Sequence, residues 1–233
     1  MRMEEARLAA AMRSGGISSP AIYRAVLEAA LSARADPAGI LDFGSGSGQL
    51  LPLLATAFPD AALHAADIME RPADLPPGVT WHRGDLNVEM PIPASSFDMV
   101  LAVEVVEHLE NPRQTVREIA RLLKPGGVAI LSTPNTGSIR SLVTLAFRGH
   151  HAQFDDANYP AHITPVGEVD FARIAGETGL ALDRFFYTDD GAIPKLLSRR
   201  WRNVPLVGDR LRGRRFSDNF GAVFRKPAAV PAA

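Results

Sequence analysis

The sequence predicts an α/β fold built on a doubly wound parallel sheet, and three observations lead to this prediction. Short apolar runs alternate with helical patterns from residue 39 to residue 132. The first run, 39–43, leads directly into a glycine-rich turn and then into a helical segment. Acidic residues follow the next two runs, at Asp67 and Asp85. Strands that alternate with helices are joined by parallel crossovers, and ligands bind beyond the carboxyl ends of such strands.

The spacing of apolar residues predicts the elements in chain order. Two helices, 3–13 and 20–33, precede the alternation; Ser18 or Ser19 can cap the second, with Pro20 in its first turn. The predicted strands of the alternation are 39–43, 62–66, 79–82, 97–103 and 127–132, and the helices between them are 49–58 and 112–123. The last predicted elements are a helix at 166–178 and two strands at 182–187 and 220–224, which can pair antiparallel.

Length, composition and charge restrict the function classes. A chain of 233 residues with 46% hydrophobic and 22% charged residues is typical of a globular domain with room for a small lid. The net charge of −1 provides no basic field for nucleic acid. The absence of cysteine excludes disulfides, thiolate metal sites and a cysteine nucleophile. The chain shows neither a signal peptide nor an apolar run of about 18 residues, so we expect a cytoplasmic protein, peripheral at most at the inner membrane face.

The glycine-rich turn is the most informative segment. Residues 42–48 form the pattern acid-x-Gly-x-Gly-x-Gly, whereas a dinucleotide fingerprint would need glycine at Gln49 and a phosphate loop would need a lysine. Asp42 would repel a pyrophosphate but suits a cationic ligand. Asp67 stands where a carboxylate commonly accepts hydrogen bonds from ribose hydroxyls, and Asp85 could accept one from an adenine amino group. Each acid could instead be a cap or turn residue, but their joint order favours a ligand with a ribose, a purine and a positive centre.

With these motifs, and with Phe-Asp-Met-Val at 97–100 and Leu-Lys-Pro-Gly-Gly at 123–127, the chain resembles the class I S-adenosylmethionine-dependent methyltransferases. The resemblance implies a three-layer sandwich with a seven-stranded, mostly parallel sheet of order 3-2-1-4-5-7-6, in which strand seven is antiparallel. It implies that S-adenosylmethionine is the cofactor. The cofactor-binding residues that it implies are Asp42, Gly44, Ser45, Gly46, Gly48, Asp67, Ile68, Asp85, Leu86, Ala102 and Val103.

Two further motifs narrow the resemblance. Ser-Thr-Pro-Asn at 132–135 and the segment 103–108 are similar to the ubiquinone-biosynthesis O-methyltransferases. The Glu-x-x-Glu-His part of 103–108 is also similar to the metal site of small-RNA 2′-O-methyltransferases, and both groups associate it with a divalent cation. The resemblance implies O-methylation of a small-molecule, lipid-linked or glycan-linked hydroxyl. The alternatives are methyl transfer to nitrogen, carbon or RNA, and a non-catalytic module that binds S-adenosylmethionine and a partner.

If residues 104–108 are helical, Glu104, Glu107 and His108 share one face. Together with His162 they could hold Mg²⁺ or Mn²⁺, which would lower the pKa of a bound hydroxyl. Without a metal, His108 could act as an unassisted general base. The catalytic candidates are His108 and Glu107. A purely structural role, with acids placed at a helix N-terminus, is the third reading.

Outside these motifs the sequence predicts regions that could cover a substrate. We expect a helical lid at 1–36, a methyltransferase domain at 37–227 with insertions at 136–160 and 191–219, and a flexible tail at 228–233. Within 195–215 the only acidic residue is Asp209, among these basic residues: Lys195, Arg199, Arg200, Arg202, Arg210, Arg212, Arg214 and Arg215. Such a segment could be a solvated lid helix, or it could bind an anionic acceptor, RNA phosphates or a membrane surface. The partners we expect are a small-molecule or lipid-linked acceptor and peripheral membrane contact, not nucleic acid.

Overall fold

The computed structural model describes residues 3–194 and 196–228; Lys195 and residues 229–233 of the expected tail lie outside them. The helices are α1 (Met3–Ser14), α2 (Pro20–Ala33), α3 (Leu51–Ala57), α4 (Pro112–Leu122), α5 (Ile139–Arg148) and α6 (Glu168–Glu177). The strands are β1 (Gly39–Phe43), β2 (Ala62–Asp67), β3 (Thr80–Arg83), β4 (Phe97–Val103), β5 (Leu123–Pro134), β6 (Ala181–Tyr187), β7 (Ala192–Ile193), β8 (Leu196–Arg200) and β9 (Asn219–Arg225). Short 3₁₀ helices lie at Val106–His108, Trp201–Asn203 and Gly208–Arg210.

Seven strands form one sheet in the order β3-β2-β1-β4-β5-β9-β6. β1 to β5 pair in parallel, whereas β9 pairs antiparallel with both β5 and β6. The predicted sheet order is thereby confirmed, with β9 as the seventh strand of the sheet, because β7 and β8 form a separate antiparallel hairpin. The antiparallel pairing of the two late strands is confirmed as well.

Alternating residues of the central strands fill two cores, one on each face of the sheet. Leu41 and Val100 belong to the core on one face, whereas Ile40 and Met99 belong to the core on the other. All seven residues of β4 are buried. Strands covered on both faces are expected in a doubly wound sheet, where helices cover each side.

Helix α2 belongs to one of these cores, which corrects the assignment of residues 1–36 to a lid. Its cap is Ser19, whose Oγ accepts a hydrogen bond from the Ile22 N–H at 3.4 Å, and Pro20 opens the helix. Val26 is fully buried and packs in the same core as Ile40. Only α1 and the turn that follows it remain available as a lid.

The largest local difference from the sequence analysis is at 104–108. The condition that 104–108 be one helix is not met: Glu104 has a φ of +55°, and a 3₁₀ helix begins only at Val106. The Glu104 N–H donates to the backbone oxygen and the Oγ of Ser132, which ties this turn to the end of β5. Glu104 therefore faces a different set of neighbours from Glu107.

Among the described helices, none has both the length and the apolar character required to cross a lipid bilayer.

Candidate functional site

A cavity of about 840 Å³ lies beyond the carboxyl ends of β1, β2 and β4. One end is lined by the glycine-rich turn, Asp67 and Asp85, and the other by Arg140, Arg200 and Asp218. Between the two ends lie Glu104, Glu107, His108 and His162. This volume lies within the range of about 300–1,000 Å³ that is usual for small-molecule sites.

The glycine-rich turn needs its first two glycines because other parts of the chain approach its backbone closely. Gly44 has a φ of +82°, and a Cβ added there would collide with the side chain of Val105. Gly46 has a φ of +55°, and its Cβ would lie 2.5 Å from the carbonyl oxygen of Gly16. Left-handed backbone and close approach are the two conditions that favour glycine. The turn is thus packed between Val105, next to the 3₁₀ helix, and the segment after α1.

Two buried carboxyl groups hold this turn in place. Asp67 Oδ2 accepts a hydrogen bond from the Gly46 N–H at 2.8 Å, and Asp67 Oδ1 accepts one from the Met69 N–H at 2.9 Å. Asp42 Oδ2 accepts one from the Ser45 hydroxyl at 2.7 Å. Burial is the main cause that raises the pKa of Asp42 to about 7; the negative charge of Asp67 acts in the same direction, and the hydrogen bond from Ser45 opposes both. Burial also raises the pKa of Asp67. Both acids lie in a low-dielectric site that favours a cationic ligand.

Asp85 has a different environment because α1 reaches over it. Burial by itself would raise its pKa, but hydrogen bonds from Asn87 and from the Arg7 guanidinium hold it below the ordinary value. Arg7 also forms two hydrogen bonds with Glu110, at 2.9 and 2.7 Å. Arg7 thus links α1 to two acids, Asp85 and Glu110, that line the cavity at the end of the glycine-rich turn.

The turn after α1 docks on the glycine-rich turn itself. The carbonyl oxygen of Gly16 accepts hydrogen bonds from the Ser47 N–H at 3.0 Å and from the Ser47 hydroxyl at 2.9 Å. Several residues of α1, including Ala10 and Arg13, line the cavity. The N-terminal segment therefore forms part of the wall of the site.

Most of the expected cofactor-binding residues line the cavity. These are Asp42, Gly44, Ser45, Gly46, Asp67, Ile68, Asp85, Leu86 and Val103. Gly48 and Ala102, which the family resemblance also implies, are not among the lining residues. Gly48 packs on Leu75 instead, and Ala102 is fully buried in β4 within the core.

Glu104 and Glu107 are both buried but have different partners. Glu104 accepts hydrogen bonds from the Ser132 hydroxyl and from the side-chain amide of Asn219. Glu107 Oε2 accepts one from the Thr133 hydroxyl at 3.1 Å, while Glu107 Oε1 is buried without a hydrogen-bond partner among the described residues. Burial raises the pKa of both acids, and the charge of Glu107 raises that of Glu104 further.

The segment 161–164 brings His162 next to His108. Backbone N–H groups of Ile163 and Thr164 donate to the Glu107 carbonyl oxygen, and the two imidazole rings lie with their centroids 4.8 Å apart. His108 Nδ1 lies 2.8 Å from the Ala161 carbonyl oxygen, and His162 Nδ1 lies 2.7 Å from that of Gln153. Because a carbonyl only accepts, each Nδ1 carries the proton and each Nε2 carries the lone pair.

Burial favours the neutral form of both imidazoles. Burial lowers the pKa of His108, and burial together with the neighbouring His108 lowers the pKa of His162 to about 4. One potential ligand atom from each of Glu107, His108 and His162 lies within 4.8 Å of the others. Glu104 is not a member of this group in the described structure, so the expected set of four metal ligands is not assembled. We call Glu107, His108 and His162 the acceptor cluster because its atoms offer electron pairs.

The far end of the cavity was not predicted as a unit. Asp218 accepts hydrogen bonds from Arg140 at 2.7 Å and from Arg200 at 3.4 Å. Asp209 is the only acidic residue within 195–215, but acids from other segments also pair with its arginines: Arg202 pairs with Asp190 and Arg214 with Glu168, in addition to the Arg212–Asp209 pair. The segment is also not a helix but a hairpin followed by short 3₁₀ turns.

Other lining residues carry no sequence signal that would have found them. Arg7, Gln153, Asn158, Asp190 and Asn219 lie far from the recognisable motifs along the chain. They reach the cavity through the packing of α1 and of the two insertions. Only the location of 136–160 and 191–219 outside the core pattern hinted that these segments cover a ligand.

Known proteins to which this chain is similar include methyltransferases. A family model described as a methyltransferase domain matches residues 18–184. A malonyl-(acyl-carrier protein) O-methyltransferase of Halalkalibacterium halodurans is 31% identical over 110 residues, which cover 43% of this chain and 41% of that protein. A ubiquinone biosynthesis O-methyltransferase of Xanthomonas axonopodis pv. citri is 37% identical over 118 residues, covering 45% of this chain and 47% of that protein. The matched part is thus less than half the length of either relative.

A solved structure shares the fold. The solved S-adenosylmethionine-dependent methyltransferase of Mesorhizobium loti superposes with a TM-score of 0.57 at 17% sequence identity, over 85% of this chain and 95% of that one. Identity at this level shows the shared architecture alone. The chemistry must be argued from the residues of the cavity.

Proposed function

The chain belongs to the methyltransferase domain family and has the class I fold, and from this premise we propose that it methylates a hydroxyl oxygen of a small acceptor with S-adenosylmethionine. The observation that carries the proposal is that one cavity contains both the acceptor cluster and the end lined by the glycine-rich turn, Asp67 and Asp85, which we call the nucleoside end.

The residues of the nucleoside end fit S-adenosylmethionine. Asp67 has oxygen lone pairs beyond those used by Gly46 and Met69, and these can accept ribose hydroxyls. Ile68 and Leu86 provide apolar wall for a purine, and Asp85 provides an acceptor for its amino group. Asp42 and the N–H groups of the glycine-rich turn suit the ammonium and carboxylate of a methionine part. When bound, the cofactor supplies an electrophilic methyl group on a positively charged sulfur.

The protein contributes position and a proton acceptor. A hydroxyl that enters the middle of the cavity can donate its hydrogen bond to His108 Nε2, because Nδ1 is held by Ala161. In the transfer, the oxygen–methyl bond would form as the sulfur–methyl bond of the cofactor breaks and leaves a neutral thioether. The hydroxyl proton would move to His108 Nε2, where the negative charge of Asp67 favours the resulting imidazolium and Glu107 lies beside it. The buried walls exclude water and align the reacting atoms.

A divalent cation is the second candidate for the acceptor cluster. Imidazole ligands of metals usually donate their other N–H to a carbonyl or carboxylate, and His108 and His162 both do so here. Two imidazoles with one carboxylate suit Mn²⁺ better than Mg²⁺, which prefers oxygen ligands. Such an ion would activate the hydroxyl in place of the base.

The acceptor class is proposed from the shape and charge of the site. We propose a small-molecule or lipid-linked acceptor; peripheral membrane contact through 195–215 remains part of the proposal. Acids neutralise part of this segment, since Arg200, Arg202, Arg212 and Arg214 each have an acidic partner. Isolated pairs of this kind contribute little stability, but they reduce the field available to an anionic surface.

Two measurements test the proposal in sequence. Calorimetry of the full chain with S-adenosylmethionine and S-adenosylhomocysteine should show binding of both. Cell extracts incubated with labelled S-adenosylmethionine and the protein should then yield a labelled, alkali-stable methyl ether, compared with and without EDTA. No heat at about millimolar ligand would refute the proposal. Binding without transfer would favour a non-catalytic module, and loss of transfer in EDTA with recovery in Mn²⁺ would favour the metal.

A further inference from the structure

We propose that Arg140 and Arg200 form an anion subsite that binds a carboxylate or phosphate group of the methyl acceptor. This inference rests on the proposed function and specifies its substrate class. Both arginines line the cavity at the end opposite Asp85, and both reach the same carboxylate, Asp218. An acceptor bound there would place its anionic group at this end and its hydroxyl at the acceptor cluster.

The subsite is built on fixed backbone. The carbonyl oxygen of Asp218 accepts a hydrogen bond from the Asn135 N–H at 2.7 Å, and the Asn135 side chain donates to Ser217 at 2.9 Å. Arg140 stands in the first turn of α5, which Ser138 caps by accepting from the Ser141 N–H at 3.1 Å. Side chains held in this way need little reorganisation when a ligand binds.

The charges at this end leave room for an anion. Asp218 Oδ2 also accepts from the Ala192 N–H at 3.1 Å, so this single oxygen serves three donors. Arg200 and Arg202 lie 3.7 and 3.6 Å from Asp190 Oδ1, too far for strong hydrogen bonds. Arg140 and Arg200 line this end together with Asp218 and Asp190, whereas Arg202 is not a lining residue, so an anion would bind to guanidinium N–H groups that the two carboxylates leave unused. Each guanidinium has five N–H donors, and only one from Arg140 and one from Arg200 is hydrogen-bonded to Asp218.

The neighbouring residue connects the subsite to the reaction centre. Asn219 follows Asp218 directly in the chain, and its side-chain amide donates to Glu104. Gln153, whose side chain donates to the Asp218 carbonyl oxygen at 3.3 Å, accepts the His162 N–H through its own carbonyl. Gln153 thus joins Asp218 to His162 of the acceptor cluster, and Asn219 joins the same segment to Glu104, which lies outside that cluster. Guanidinium groups bind carboxylate and phosphate by paired hydrogen bonds, which also orients the bound molecule.

Direct binding of anions tests the subsite. The full chain, saturated with S-adenosylhomocysteine, is titrated with malonate and, separately, with phenyl phosphate; malonamide is the neutral counterpart. Calorimetry and the fluorescence of Trp201, which follows Arg200 in the chain, report binding. We expect about millimolar binding of one or both anions and none of malonamide. The two arms show whether carboxylate or phosphate is preferred.

Variants assign the binding to the two arginines. Arg200→Gln and Arg140→Gln should each weaken anion binding about tenfold or more, while Arg199→Gln, an exposed neighbour outside the cavity lining, should not. Arg200→Gln is the safer variant for folding, since its bond to Asp218 is the longer one. Equal anion binding by wild type and Arg200→Gln, or no anion binding at all, would overturn the subsite. Binding of S-adenosylhomocysteine in the same samples tests the proposed function separately.

Discussion

The two ends of the cavity are built in different ways. At the nucleoside end, a contiguous turn at 42–48 meets acids at two neighbouring strand ends, and backbone N–H groups satisfy Asp67. We call the rest of the cavity, from the acceptor cluster to Arg140, Arg200 and Asp218, the acceptor end. Its side chains come from 104–108, 140, 153–162 and 188–219 and meet through long-range packing. The first end is determined by backbone geometry, which demands particular residues at fixed spacing. The second is determined by tertiary contacts, which leave no such spacing. We therefore expect substitutions at the two ends to affect different measured quantities.

The largest expected effect separates turnover from binding at the acceptor cluster. His108→Ala and Glu107→Ala should lower turnover about 10²- to 10⁴-fold, because the hydroxyl loses its proton acceptor or metal ligand. Affinity for S-adenosylhomocysteine should stay close to that of the wild type, since the nucleoside end is untouched. Steady-state rates and calorimetry on the same preparations measure both quantities.

A histidine outside the cavity provides the matched control. His82 lies on β3 and stacks on His64, so His82→Ala removes an imidazole without touching the acceptor cluster. Its turnover should be unchanged. If His108→Ala retained full turnover, as the control His82→Ala is expected to do, the acceptor cluster would have only a structural role.

The converse variant acts at the nucleoside end. Asp67→Ala should weaken binding of S-adenosylmethionine at least about 100-fold, because it removes charge-assisted hydrogen bonds to the Gly46 and Met69 N–H groups and to the ribose. Asp67→Asn keeps the shape and should lose less. The exposed Asp60 gives the control Asp60→Ala. Equal affinity in Asp67→Ala and Asp60→Ala would mean that Asp67 neither contacts the cofactor nor is needed to shape its site.

The same comparison explains what the sequence could predict. Periodicity and glycine spacing predict the strands, the antiparallel pairing of the last two and the glycine-rich turn, all of which depend on local backbone requirements. The strand order and the cofactor residues, nine of which line the cavity, are implied by the family resemblance. Gly48 and Ala102 were the exceptions, because a motif does not reveal which of its members face a ligand and which face Leu75 or the core.

The acceptor end shows why the rest could not be predicted. Helical spacing at 104–108 suggested that Glu104 shares a face with His108, but tertiary hydrogen bonds to Ser132 and Asn219 hold Glu104 in left-handed backbone. Arg7 is an ordinary helix residue in the sequence, and only the docking of α1 brings it to Asp85. Contacts between distant segments have no signature in a single sequence.

A pH dependence should distinguish the two ends again. Burial raises the pKa of Asp42 to about 7, so a cationic ligand must displace a proton from it below that pH. Affinity for S-adenosylmethionine should therefore rise with pH up to pH 7, by at most about tenfold per pH unit, and then level off. Calorimetry in two buffers of different ionisation enthalpy would count the released proton.

The sign for stability is opposite in the ligand-free protein. Because the folded pKa of Asp42 lies above its ordinary value, its contribution is fully present below that ordinary value and is lost as pH rises towards 7. In the binding measurement the cofactor's own amino group also titrates, so the quantity to compare is the pH dependence of affinity in wild type and in Asp42→Asn. If the affinity of both proteins changed equally with pH, Asp42 would be excluded as the titrating group.

The smallest effect concerns α1, which we propose as a lid over the nucleoside end. Arg7 pairs with Asp85 and Glu110 at a partly exposed position, and such pairs contribute about 0.2–1 kcal/mol each. Arg7→Ala should therefore speed both association and dissociation of S-adenosylhomocysteine about two- to fivefold in stopped-flow measurements, while the dissociation constant changes less than either rate. Arg24→Ala, on the exposed face of α2, removes the same charge away from the cavity and should change neither rate. A tighter complex in Arg7→Ala, with unchanged association, would mean that Arg7 competes with the adenine for Asp85 instead of closing over it.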